Sequence, residues 1–317
     1  MTRFIAIRLL YLLVGWLVAS LLIFFSLRIL PGDVAQVIAG TESTPEQVEA
    51  LRESLGLNRN PLVQYTDWVA GVARFDLGAS AVTGSSVSEQ IAQKMQVTAP
   101  LTLLSLLFGS AIAFSVGTFS ALRYGRSSGQ ILSGAALLVS AVPVVWAGML
   151  LTIVLANWLD WLPSQGFPTA GWGNPAAAFT ALVLPALTIG LVEGAVLLRF
   201  VRSSALAALD SGHVRTAMAR GMTRSTALVM RGMPGVGLSV ISLLGLQIAG
   251  LLVGAVIVEQ LFNLPGVGRM LIDAVGNRDL PAVQSILLVL TMIILGVGTL
   301  VDIAHRLIDP RLRTETK

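Results

Sequence analysis

Six stretches of this sequence run almost without charge: 9–27, 97–122, 127–159, 176–198 with Glu193 as its one interruption, 232–258 and 280–301. Each can cross the roughly 30 Å hydrocarbon layer as an α-helix, which takes ~20 residues. A bilayer offers no water to bare N–H and C=O groups, so such runs settle as helices that satisfy their own backbone. The expected fold class is an all-α polytopic membrane protein with six transmembrane helices. Only 12% of the residues are charged and 55% are hydrophobic, whereas soluble domains run near 25% charged. The first run follows Arg3 and Arg8 but is too long for a leader and lacks a convincing small-residue cleavage site, so it is expected to stay as the first span.

An even number of spans puts both termini on one side. Fourteen of the 21 Lys and Arg residues fall on that side, among them Arg123 and Arg126 in the tight turn after the second span, and Arg199 and Arg202 after the fourth. The positive-inside rule makes it cytoplasmic. The order along the chain is then a tail and first span (1–30), an external region (31–96), and a five-helix core (97–317) that contains a cytosolic element at 203–234 and an external segment at 261–281.

The external region carries local signals of two short amphipathic helices. Thr44, Pro45 and Gln47 have the spacing of a capping box ahead of Val48, Leu51 and Leu55, and Gly56 stops the run. After Pro61, the residues Leu62, Tyr65, Trp68, Val69 and Val72 recur on one face, with aromatics suited to the membrane interface. The segment Leu261 to Pro281 is expected to turn at Pro265, Gly266 and Gly268 and to form a short apolar helix ending near Gly276, as a re-entrant or interfacial piece. These three turn residues, with Asp279, are candidates for an external gate or a contact with an outside protein.

Within the spans, Pro143 and Pro185 are expected to bend their helices. Gly250 and Gly254 make a small-x-x-x-small face that packs either inside the subunit or against a partner subunit. Polar groups are rare here and must face the interior, a water-filled path or an interface. Glu193, Gln247 and Glu259 are the candidates for the pathway. Asp302 has Arg306 four residues on, the spacing of a helix-end ion pair.

The longest basic interval between apolar spans is Ser203 to Pro234, with Arg215, Arg220, Arg224 and Arg231 against the single acid Asp210. Helix formers fill its first half, Gly221 breaks the run, and Thr223 is placed to start a second short helix ending near Gly232 and Pro234. A helix, turn, helix element held outside the bilayer is a rigid handle for something in the cytosol.

Several chemistries are poorly provided for. There is no cysteine, which removes disulfides and thiolate chemistry, and only His213 and His305 supply imidazole, with no H-E-x-x-H pattern. No G-x-x-x-x-G-K-S/T loop occurs, so ATP hydrolysis by that route is absent from the chain. The sequence pI of about 10.1 reflects arginines spread along membrane boundaries, without the basic tract and stacking aromatics of a nucleic-acid binder. An ion-gradient-driven secondary transporter is the main rival among transporters, but it would favour ionisable groups deep in the spans and repeat symmetry.

Several runs in order carry a resemblance: LRESLGLNRNPLVQY at 51–65, DLG at 76–78, RTAMARG at 215–221 with Pro234, LLGLQIAGLLVGAVIVEQLFNLPGVG at 243–268, RDLPAVQ at 278–284 and DPRLR at 309–313. On these the chain resembles the permease subunit of a binding-protein-dependent ABC importer of the dipeptide and oligopeptide family, over nearly its whole length. It departs from the broad ABC pattern in holding Arg215 and Thr216 where the coupling motif opens with glutamate and alanine. The resemblance implies an inner-membrane protein of a prokaryote, working with a second, related permease, two cytosolic ATPase subunits and an extracytoplasmic substrate-binding protein. It implies a small peptide substrate, or in the same family a nickel complex or another non-peptide solute. It also implies that the chain binds no cofactor, ATP and Mg being held by the ATPases. The coupling residues implied are Asp210, Arg215, Thr216, Ala217, Gly221 and Pro234, with Gly221 allowing the turn.

Overall fold

The computed structural model describes residues 2–29, 34–39, 43–54, 56 and 58–308. Leu55 and the DPRLR run lie outside the described residues. Among the described residues thirteen α-helices follow one another, and the only β pairing is an isolated antiparallel bridge between Ala79 and Ser86. Five helices are long and apolar enough to cross a membrane, and a bent pair makes a sixth. Each overlaps one of the six runs read from the sequence. The chain divides into two compact units, residues 98–264 with 297 onward, and residues 2–97 with 265–296.

In the first of these, helix α8 (Pro175–Asp210) is central. It packs against α6 (Ser127–Ala141), α7 (Val144–Leu151) and α11 (Met233–Leu261), and it carries more buried residues than any other helix described. Where it crosses α5 (Val87–Leu122), small residues bring the backbones together: a Cβ on Gly194 would lie 2.8 Å from Gly109 Cα, and one on Gly190 would lie 2.9 Å from Ser105 O. In lipid, van der Waals contact of this kind replaces the hydrophobic drive as the source of helix association. The Gly250 and Gly254 face of α11 is also used inside the subunit, against Glu193 and Ile189 of α8.

The two prolines behave differently. Pro143 ends one helix and starts the next: α6 and α7 meet at 109° around Val142 and Pro143, the geometry of a broken span or a re-entrant loop, and α7 continues through a π-helical turn at Thr152–Trp158. Pro185 stays inside the uninterrupted α8. At Pro143 the preceding residue is extended, ψ 127°, which is the conformation the proline ring imposes on its neighbour.

In the other unit, α1 (Thr2–Ile29) carries α4 (Pro61–Val72) on the half that holds Ser20, Phe24 and Arg28. The interfacial aromatics expected of α4 are stacked into protein: Phe24, Phe25, Tyr65 and Trp68 have ring centroids 5.3–6.4 Å apart, and the Tyr65 hydroxyl lies 2.9 Å from the Ser20 hydroxyl. Arg28 lies over Phe24 at 4.2 Å and donates to Gln64. The capping box ahead of α3 (Pro45–Ser54) is formed: the Thr44 N–H donates to Gln47 Oε1 at 3.0 Å and the Gln47 N–H to Thr44 Oγ1 at 3.4 Å.

Candidate functional site

The basic interval is built as an elbow, and its boundaries differ from those the sequence suggests. Helix α8 runs on to Asp210 rather than ending before Ser203. A separate helix α9 (Gly212–Ala219) follows. Its C-terminus closes with two bonds, Gly221 N–H to Met218 O at 3.0 Å and Met222 N–H to Ala217 O at 3.2 Å, the pairing that terminates a helix with a left-handed residue. That residue is Gly221, at φ +95°, a conformation side chains rarely adopt. Thr223 then caps α10 (Arg224–Ala227), accepting from the Thr226 N–H at 3.3 Å. Helix α10 does not stop at Gly232 and Pro234. It passes through a π-helical turn, Leu228–Gly232, directly into α11, with Pro234 just after that turn.

The elbow is held by its apolar side. Val214, Ala217, Ala227 and Leu228 are buried in one core with Leu197, Leu198, Val201, Ala205 and Leu209 of α8 and Val236 and Val240 of α11. Its other side is polar and exposed: Asp210, Arg215, Thr216, Arg220, Gly221, Arg224 and Arg231 all face out, as does Pro234. Arg215 pairs with Asp210 at 3.1 Å, both well exposed, so the pair adds little stability. Of the six residues implied in coupling, Ala217 is the buried one. It anchors the elbow, and the other five lie on its surface.

The pathway candidates fall into two places. Gln247 Nε2 donates to Glu193 O at 3.0 Å and to Glu193 Oε2 at 3.1 Å. Glu259 is 0% exposed and accepts from Thr98 Oγ1 at 2.5 Å, tying α11 to α5, and its carbonyl accepts from the Leu264 N–H at 2.9 Å.

The external segment forms the short helix expected, α12 (Val267–Gly276), with Gly266 extended at its start. Gly266 and Gly268 are buried and Pro265 half-buried. Asp279 is only 4% exposed and its carboxylate is satisfied internally. It accepts from Ser80 Oγ at 2.5 Å, from the Ala81 N–H at 3.1 Å, and from the Ala282 N–H at 3.3 Å, which caps α13 (Leu280–Ile308). It therefore fastens the 79–86 hairpin to the start of α13 instead of being presented outward. Ser285 Oγ adds a bond to Leu77 O at 2.9 Å. Beside these contacts lies a cleft of about 460 Å³ whose lining includes Thr83, Gln90, Lys94, Arg269, Asp273 and Asn277.

Sequence reasoning missed two of these partners and one close helix crossing. Ser80 and Thr98 bond acids 199 and 161 residues away, and no local pattern marks them. The Gly190 and Gly194 crossing was legible in principle, because the pair has the same i, i+4 spacing as Gly250 and Gly254.

The fold defines a helical polytopic membrane protein with an exposed basic elbow. Residues 113–314 match the binding-protein-dependent transport system inner membrane component, and residues 1–102 match the N-terminal part of the membrane component of such systems. The chain belongs to this family, as a multi-pass inner-membrane permease. The dipeptide transport system permease protein DppB of Escherichia coli strain K12 is 34% identical over 337 aligned positions, covering 99% of each chain. A Sinorhizobium fredii protein named "Probable peptide ABC transporter permease protein y4tP" is 34% identical over 294 positions, 93% of this chain and 94% of that one.

Proposed function

We propose that this chain is one permease subunit of an ATP-driven importer of short peptides, paired with a second permease, served outside by a substrate-binding protein and driven by two cytosolic ATPases that hold ATP and Mg. Peptide substrates are supported by the names of its relatives, which cover 93% and 99% of the chain. The observation that carries the mechanism is the elbow: an exposed polar surface around Asp210, Arg215, Thr216 and Gly221, fixed by buried Val214, Ala217 and Leu228 to the same core as α8 and α11. A push on that surface reaches both helices without passing through a flexible joint, as a two-state bundle requires. With the elbow in the cytosol, closure of the ATPases exposes the pathway to one side and their opening exposes it to the other. Glu193, Gln247 and Glu259 are assigned to the pathway and its support, and Pro265, Gly266, Gly268 and Asp279 to the frame of the external segment that meets the binding protein.

The test is the assembled complex in proteoliposomes with Gly221→Val in this subunit. A β-branched residue at φ +95° costs about 1–3 kcal/mol in backbone strain, although nothing lies within 4 Å of the position where its Cβ would sit. Peptide uptake per ATP hydrolysed is expected to fall severalfold while the ATPases stay bound. Unchanged coupling in a fully assembled complex would overturn the assignment.

A further inference from the structure

Glu193 and Gln247 present a constellation that the coupling mechanism leaves unused. Glu193 lies six residues, about 9 Å, before the basic boundary at Arg199 on the same helix. Gln247 spends one amide nitrogen on two oxygens of Glu193, its carbonyl and its Oε2. The carboxylate fixes the orientation of that amide, because a reversed amide would set oxygen against oxygen. Two acceptors are then left over, Glu193 Oε1 and Gln247 Oε1, and no described residue donates to either. Glu193 is half-buried, so its carboxylate is partly accessible, and Gln247 is 9% exposed. Gly250 provides the room, since a Cβ there would lie 3.2 Å from Glu193 Oε1.

A carboxylate with no described counter-cation is costly inside a membrane span and marks a ligand or a path. With Glu193 ionised, the pair offers one negative charge, two acceptors and no donor, which fits a cation that carries at least two N–H groups. A bare divalent ion would require more oxygen ligands, and no group of three or more His, Cys, Asp or Glu gathers among the described residues. We propose that Glu193 Oε1 and Gln247 Oε1 form a transient site for a primary ammonium, the free amino terminus of a short peptide in transit. The identity of the ammonium rests on the peptide reading above; the site itself does not.

The experiment uses the complete complex in nanodiscs without binding protein, observed by saturation-transfer NMR. Methylammonium, dialanine and N-acetyl-dialanine are the probes, with tetramethylammonium as a cation lacking N–H. Wild type is expected to bind methylammonium and dialanine, and tetramethylammonium and N-acetyl-dialanine about tenfold more weakly, the loss expected for one charge-assisted hydrogen bond. Glu193→Gln, which can still accept from Gln247, is expected to abolish that difference without lowering assembly with the second permease. Methylammonium binding sensitive to Glu193→Gln, with dialanine ignored, would uphold the site and overturn the peptide as its ligand. Equal binding of methylammonium and tetramethylammonium in wild type would overturn the site. So would a Glu193→Gln variant whose sole defect is failure to assemble, because Glu193 would then be neutralised by the second permease.

Discussion

Asp279 shows how one carboxylate can be read correctly as special and still be given the wrong neighbours. Its place after the short external helix suggests a residue offered to a partner, yet its oxygens receive Ser80 Oγ and the Ala81 and Ala282 N–H groups inside the protein. Removing it would take the acceptor from a buried hydroxyl and from two backbone N–H groups, at a cost of about 1–3 kcal/mol for each group left unsatisfied. Asp279→Ala is therefore expected to release the 79–86 hairpin: hydrogen exchange at Ser80 and Ala81 should accelerate by tenfold or more while exchange across α8 is unchanged. Thr98 and Glu259 teach the same lesson within the other unit. The acid was legible as a polar group at the end of a span, but its donor lies 161 residues earlier.

At the scale of elements, most helices were legible because their causes are local. Thr44 and Gln47 close the capping box, Thr223 caps α10, Gly221 stops α9, and α12 occupies the span its apolar periodicity suggests. The boundaries that shifted, α8 running to Asp210 and α10 merging into α11, lie where buried Leu209 and Leu228 join a shared core, so packing overrode the local stop signals. The alternatives left open for the Gly250 face are settled in favour of α8. The tightest approach is nonetheless at Gly194, whose added Cβ would meet Gly109 at 2.8 Å with backbone on both sides. Gly194→Ala is expected to destabilise the protein by about 1–3 kcal/mol through overpacking, visible as a lower midpoint of thermal unfolding in detergent. Gly235→Ala, with nothing within 4 Å of its added Cβ, serves as the control and should stay near wild type.

At the scale of the molecule, the orientation proposed from arginine placement sets the elbow in the cytosol and the 160–174 loop outside. The absence of cysteine makes this directly measurable. Ser225→Cys on the elbow and Ser164→Cys in the loop both replace exposed residues. A membrane-impermeant maleimide is expected to label Ser164→Cys in intact spheroplasts and Ser225→Cys only after permeabilisation, and the reverse pattern would invert the topology. What the sequence by itself determined is the set of spans, their proposed sidedness and the basic elbow, because hydrophobic length, charge asymmetry and helix caps act within a few residues of one another. The tertiary structure alone decided which acid meets which donor, that α6 and α7 meet at 109° at Pro143, and that one Gln247 nitrogen donates to two oxygens of Glu193. Those outcomes depend on which helix faces lie within hydrogen-bonding distance, and no single stretch of chain contains that information.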